Sequence, residues 1–259
     1  MKSTRDAALL LLGKDYGDYG AICSVPVGKH GAAAITVGDD PESPSHQFKH
    51  DPLVKNEDAL CLLDGDNWSG YAVADAHYGP ESSHLILSRL HHMWASGLPE
   101  TVDDLADMIA SLRHGDPATT ESETTLLVVS YQRHANQGFG ISFGDSTFTI
   151  LGADRTGEPI NQHEHRFVTT ANHASMTNGL LFHFFTEPGE LLLLHTDGID
   201  GCHYNHPATS VRPEHVLALA KAAAYDPLQT VETLTRLALT GIDGNPGGQD
   251  NIATIAATA

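Results

Sequence analysis

The sequence predicts an α+β layered fold, and three observations carry that prediction. Strand-like apolar segments come in groups rather than alternating one by one with helices. Helix-period segments come as two pairs, over residues 81–115 and 213–241. The chain has 259 residues, 41% hydrophobic and 18% charged, enough to bury a sizeable core.

The elements follow in order. Residues 7–12, in MKSTRDAALLLLGKDYG, are a short apolar run that reads as a helical turn or a strand, with no cleavage signal for export. GAAAITVG (31–38) is a strand, and the polar, proline-bearing DDPESPSHQFKHDP (39–52) is a loop. DALCLLD (58–64) and GYAVADA (70–76), joined by GDNWSG, form a hairpin with a slightly long turn. ESSHLILSRLHHMWASG places Leu85, Leu87, Leu90 and Trp94 near one helical stripe; TVDDLADMIASLRHG does the same with Val102, Leu105, Met108, Ile109 and Leu112. Thr101 and Asp104 suit a capping box with Asp in place of Glu. TTLLVVSYQ, GFGISFGD and STFTILG read as three consecutive strands. Residues 153–179 are polar, irregular and rich in histidine. GELLLLHTDG (189–198) is a buried strand, two helices start near Pro213 and Pro227, and DNIATIAATA closes the chain as a strand. No repeat or composition break divides the sequence, so 1–259 reads as one domain whose informative part spans about residues 20–258.

The formal net charge is -19, from 33 acidic and 14 basic residues. That balance disfavours nucleic acid and anionic membrane surfaces as partners, since both need clustered Lys and Arg. The cysteines Cys23, Cys61 and Cys202 allow neither a disulfide framework nor a CxxC zinc pattern. No run approaches the roughly 18 apolar residues of a membrane span. A reducing, cytoplasmic setting is the expectation.

Acids recur at the ends of the apolar strands. Glu57 and Asp58 precede ALCLL, Asp75 ends YAVA, Asp145 follows GISFG, Asp197 ends LLLLHT and Asp250 starts the last strand. If these strand ends converge, the carboxylates form an oxygen-rich pocket that repels itself unless cations fill it. Hard oxygen donors suit Mg²⁺ or Mn²⁺ rather than zinc. The bland alternative is a set of scattered, solvated surface acids, and spacing alone does not decide between the two.

The blocks KNEDA, VADAHYG, SETTLLV, FGDSTFTIL, GELLLLHTDGI and GGQDNIATI occur in the order found in metal-dependent protein phosphatases of type 2C. From Lys55 to Ile255 the chain resembles that family. The resemblance implies a four-layer α-β-β-α sandwich, two antiparallel sheets flanked by helix pairs. It implies a phosphoprotein serine/threonine phosphatase that uses two Mg²⁺ or Mn²⁺ ions, with room for a third, to activate a water for attack on phosphorus. By the same resemblance Asp75 bridges two ions, and the Ala76 carbonyl binds one of them. Glu57, with Asp58 beside it, matches the acid of the second ion. Asp197 and Asp250 match the acids of the first, and Asp145 with Asp197 matches the weaker third position. His77 matches the acid that protonates the leaving alcohol. Lys55, Tyr78 and Asn251 are the expected phosphate or substrate contacts.

The chain departs from the family pattern in several places. Asp75-Ala76-His77-Tyr78-Gly79 replaces Asp-Gly-His-Gly-Gly, so Ala76 is restricted if φ must be positive there. Leu53 stands where many members carry a phosphate-gripping Arg, which leaves Lys55, Lys49 or His50 as substitutes. Ser122-Glu123-Thr124-Thr125 replaces Ser-Gly-Thr-Thr, and Asp200 follows Asp197 one residue closer than usual. These departures keep two other readings open: a catalytically impaired relative that binds phosphoproteins, and a small-metabolite phosphatase. His163, His165, His173 and His183 read as surface or flap residues, Met93, Trp94 and Trp68 as packing, and Gly247-Gly248 as the turn that presents Asp250.

Overall fold

The computed structural model describes residues 7–44, 53–112, 122–169 and 176–259. A six-stranded antiparallel sheet has the order β1 (Ala7–Leu12), β4 (Ala59–Asp64), β5 (Trp68–Ala74), β8 (Leu126–Gln132), β9 (Gln137–Phe143), β11 (Leu180–Phe185). A five-stranded antiparallel sheet has the order β10 (Thr147–Leu151), β12 (Leu191–His195), β13 (Ile252–Thr258), β3 (Gly31–Thr36), β2 (Cys23–Val27). A short ladder pairs β6 (Ala76–His77) with β7 (Glu123–Thr124). Helices α1 (Glu81–Trp94) and α2 (Val102–Ser111) cover the first sheet; α3 (Pro213–Ala222) and α4 (Pro227–Thr240) cover the second. Among the described residues no helix is long and apolar enough to cross a membrane.

The period-2 alternation of the strands builds these layers. Leu60, Leu62, Tyr71, Val73, Leu127 and Val129 meet Ala33, Ile35, Leu192, Leu194, Ala253 and Ile255 in the core between the sheets. The intervening residues point outward. Ala59, Cys61, Ala72, Ala74, Leu126 and Val128 pack under Ile86, Leu87, Leu90 and Trp94 of α1 and Leu105 and Ile109 of α2. Ala32, Ala34, Leu191, Leu193, Ile252 and Ala256 pack under Val216 and Ala220 of α3 and Val231, Leu234 and Ala238 of α4. Strands buried on both faces read as continuous apolar runs, which is why LLLLH looks the way it does. The Thr101–Asp104 capping box is present at the start of α2 and is worth about 0.5–2 kcal/mol.

The structure refines several expectations. Residues 7–12 are a strand that pairs with β4 throughout. The buried stripe of α1 contains Ile86, while Leu85 is only partly covered. The strands β2 and β11 have no counterpart in the sequence reading; β11 is an edge strand whose Leu181 and Phe185 remain exposed. β10 does not pair with β9 but crosses into the other sheet.

One end of the sandwich is bolted by Asp64 and Arg133. Arg133 Nη2 lies 2.9 Å from Asp64 Oδ1, and both side chains are nearly inaccessible. The same guanidinium donates to Tyr71 Oη (3.0 Å), Gly65 O (3.2 Å) and Thr258 O, so it ties the two sheets together. Asp64 Oδ2 also accepts the Lys29 and His30 amides, at 2.8 and 3.0 Å. Removing one member of a buried pair leaves the other charge uncompensated. Arg133→Ala is expected to cost about 3 kcal/mol, lowering the thermal midpoint by roughly 6–12 °C in a calorimetric melt. A shift under a degree would mean that the bolt carries no load.

Candidate metal centre

Strand register places the predicted acids at the end opposite the bolt. Ala59, the first residue of β4, pairs with Ala74, the last of β5. β8 begins opposite the end of β9, at Leu126 and Phe143. In the other sheet, His195 at the end of β12 pairs with Thr147 at the start of β10 and with Thr254 near the start of β13. Glu57, Asp58 and Asp75 therefore leave the first sheet, and Asp197 and Asp250 leave the second, on one side. Asp145 sits in the turn where the chain crosses between sheets.

Local hydrogen bonds fix each acid. Asp75 interrupts the strand between β5 and β6: its amide donates to Thr125 Oγ1 (3.0 Å), and its carbonyl accepts from Thr124 Oγ1 and Thr125 N, both at 2.8 Å. Thr196 Oγ1 donates to Asp58 Oδ2 (2.7 Å) and accepts the Ala253 amide (2.9 Å), a tie from one sheet to the other. Asn251 Oδ1 accepts the Glu57 amide (2.8 Å), while its Nδ2 donates to Val37 O (3.0 Å) and Lys55 O (3.2 Å). Asn161 braces the turn around Asp145 through Phe148 N, Ser142 Oγ and Ser146 O at 2.7–3.0 Å. Gly198 has to be glycine, because a Cβ there would stand 1.9 Å from Asn251 O. Helix α1 reaches the same place: Ser83 Oγ donates to Glu57 O (2.5 Å), and His84 Nε2 lies 3.3 Å from Asp58 O. Burial holds the His84 pKa down at about 4, so the ring is neutral and donates.

A cavity of about 350 Å³ opens above the acids, lined by Glu57, Asp75, Ala76, His77, Tyr78, Asp250 and, on the outer walls, Pro44, Glu123, Phe167 and Tyr204. The His77 ring lies edge-on to Phe167, with centroids 5.2 Å apart. Tyr204 Oη donates to Asp250 Oδ2. Asp75 and Asp197 hold their protons well above the usual carboxylate range. For Asp75 the causes are burial and then the charges of Asp58, Asp250 and Asp145, with a hydrogen bond from Asp197 pulling the other way. For Asp197 they are burial and then Asp75, Asp250, the shared hydrogen bond and Asp145. Burial and mutual repulsion thus disfavour ionising both carboxyls of this pair, one from each sheet.

The site fits hard divalent cations by its donor chemistry. Asp197 Oδ1 is buried with no hydrogen-bond donor among the described residues unless a carboxyl carries a proton. Carboxylates are the donors that Mg²⁺ and Mn²⁺ prefer. Among the described residues no three His, Cys, Asp or Glu side chains stand close enough to hold one ion as they are. The Tyr204–Asp250 hydrogen bond occupies a carboxylate oxygen that an ion would take.

The sequence matches no protein-family model and no curated protein. Solved structures match it over nearly their whole length. The catalytic domain of the serine/threonine phosphatase PstP, in complex with two manganese ions, is 19% identical at a TM-score of 0.61, covering 92% of this chain and 99% of that one. The PPM phosphatase MsPP of Mycobacterium smegmatis, in complex with cacodylate, is 20% identical at 0.59, covering 88% and 97%. PppA, a regulatory component of the Pseudomonas aeruginosa T6SS, is 20% identical at 0.62, covering 92% and 100%. The chain has the type 2C phosphatase fold.

Within that fold the departures acquire positions. Ala76 keeps a negative φ, and the left-handed residue is Tyr78, at φ 61°. The backbone restriction expected at Ala76 therefore falls two residues later, where the phenol ring is 39% exposed at the cavity mouth. Leu53 is 89% exposed. Lys55 Nζ is 3.5 Å from Gly17 O and 5.0 Å from the Tyr19 ring centroid, and Lys55 is not among the cavity-lining residues. Asn251, expected at the phosphate, is 2% exposed and its amide is spent on backbone, so it positions Glu57 instead. Lys49, His50 and His173 lie outside the described residues. His165 and His183 are exposed; His163 is exposed and bonds Thr147 Oγ1 at 3.1 Å. Asp200 lines a separate small cavity with His195 and Arg212. Sequence reading missed Thr196, Phe167 and Tyr204. Thr196 sits beside Asp197, but only the three-dimensional pairing shows its partner. Tyr204 lies in a stretch with no motif.

Two outcomes follow from the electrostatics. Because the native pKa values exceed the unfolded ones, protonation of this pair stabilises the metal-free fold below the ordinary carboxylate pKa of about 3.9. That contribution is lost as pH rises through the raised native values. Asp75→Asn should therefore stabilise the metal-free protein at pH 8, in EDTA, by on the order of 1–2 kcal/mol. The gain should shrink toward pH 4, and a less stable variant at pH 8 would contradict the repulsion. Tyr204→Phe removes a donor that competes with cations for Asp250, and calorimetric Mn²⁺ affinity should rise roughly tenfold. Unchanged affinity would mean that the phenol does not compete.

Proposed function

We propose that this chain is a Mg²⁺- or Mn²⁺-dependent phosphomonoester hydrolase acting on phosphoserine and phosphothreonine in proteins, in the cytoplasm. The observation that supports the proposal is the pair Asp75 and Asp197, brought together from two sheets, where burial and the surrounding acids disfavour ionising both and a cation would relieve the repulsion. Asp75, Asp197 and Asp250, with Glu57 and Asp58 on the other side and the Ala76 carbonyl, would hold two ions; Asp145 with Asp197 would hold a third. Such ions supply an activated water and neutralise charge on the phosphoryl group.

The chain's own residues do the rest. Thr196 and Asn251 hold Asp58 and the Glu57 segment at the correct depth. His77 stands on the cavity wall and gives its proton to the departing serine or threonine oxygen, a poor leaving group without an acid. Phe167 packs edge-on against the imidazole and orients it.

Turnover of p-nitrophenyl phosphate and of a phosphothreonine peptide with Mn²⁺, against EDTA, tests the reading. Asp197→Asn should abolish turnover of both. His77→Gln should lower kcat on the peptide about 10²-fold or more, and far less on the aryl phosphate, whose leaving group needs no proton. The Tyr204–Asp250 bond favours a second reading, a phosphoprotein-binding relative that does not turn over. Metal-dependent hydrolysis by the purified chain disposes of it.

A further inference from the structure

The outer part of the cavity is built differently from its floor. In the β6–β7 ladder His77 stands directly opposite Glu123, so their side chains leave the same face. Val168 bridges Thr124, which puts Phe167 on that face as well. All three line the cavity, with Tyr78 beside them. The backbone under Glu123 is pinned on both sides. Ser122 Oγ donates to Gly79 O and accepts the Ser82 amide, and Thr124 exchanges both backbone hydrogen bonds with Val168 at 2.8 Å. The Glu123 carboxylate itself makes no hydrogen bond or ion pair among the described residues.

The remaining acids of the cavity wall, Glu57, Asp75 and Asp250, belong to the cation site at the floor. Glu123 is left over, and it sits beside His77, on the side where the organic part of a phosphoester departs. A carboxylate there repels a phosphoryl group but attracts a cation attached to the leaving group. The rings of Tyr78 and Phe167 line the same cavity, and aromatic rings attract cations. No Lys or Arg is among the described residues that line the cavity, and the chain as a whole carries a charge of -19. We infer that Glu123, with Tyr78 and Phe167, forms a subsite for a basic side chain next to the phosphorylated residue, and that the substrates are phosphopeptides with Lys or Arg flanking the phosphate. The phosphoryl end of this inference rests on the phosphatase reading; the cation end rests on the cavity alone.

Two phosphothreonine peptides test it, identical except for Arg or Ala flanking the phosphothreonine. Both kcat/KM with Mn²⁺ and affinity by fluorescence anisotropy in EDTA are measured. The wild type should prefer the Arg peptide about tenfold, the scale of one charge-assisted contact. In Glu123→Gln the ratio should fall toward one, and in Glu123→Lys it should invert; melts confirm that both variants fold. Turnover without any preference overturns the subsite and leaves the phosphatase standing. An unchanged preference in Glu123→Gln, with only the pH profile moved, also overturns it and makes Glu123 a positioning partner of His77. Absence of turnover, with a binding preference that Glu123→Gln abolishes, sinks the phosphatase reading and keeps the subsite.

Discussion

Asp75 leaves one sheet and Asp197 leaves the other, and their carboxyls meet in a buried place where two negative charges are too costly. The sandwich can accept that repulsion because its other end is closed by Asp64 and Arg133, which spans both sheets. At the acid end the cross-sheet ties are made by neutral side chains: Thr196 Oγ1 donates to the Asp58 carboxylate, and Asn251 Oδ1 accepts the Glu57 backbone amide. These hold the acids in position without cancelling their charge. One end of the fold is thus satisfied internally, and the other, on the proposed reading, would be completed by cations from outside.

The groups around the acids respond to the same shortage of positive charge. Burial and neighbouring acids raise the Asp75 and Asp197 pKa values, and a phenol leans in to bond Asp250. On the proposed reading, a divalent ion would take the place of the phenol and relieve the repulsion of the pair. The wall above follows a different logic. Leu53 offers no cation to a phosphate and Lys55 is engaged elsewhere, so on the proposed reading the grip on a phosphoryl group would fall to the floor of the cavity. The aromatic and acidic outer wall is free to discriminate among leaving groups.

Much of this was legible in the sequence. Strand-end acids at Glu57, Asp58, Asp75, Asp145, Asp197 and Asp250 announced themselves because an apolar run has to stop before a buried carboxylate. Layering was legible because alternate residues such as Leu60 and Cys61 belong to different cores. Strand β11 escaped because LLFHFF lies at an edge, where half its apolar side chains face outward. The crossing of β10 into the second sheet escaped because the GDS turn looks like any hairpin turn. Tyr204 and Phe167 escaped because each reaches the site from a segment far away in sequence, and no local period marks such a reach. The motif does not show backbone angles and so leaves conditional whether Ala76 needs a positive φ; among the non-glycine residues of this segment the structure gives the positive φ to Tyr78.

The most direct test of a cation-completed acid end is an anomalous difference map from crystals grown with Mn²⁺. Two peaks bridged by Asp75, one of them also held by Asp197 and Asp250, with Tyr204 withdrawn from Asp250, is the predicted result. A map with no peak at the acid end, and the Asp75–Asp197 contact intact at millimolar Mn²⁺, would contradict it.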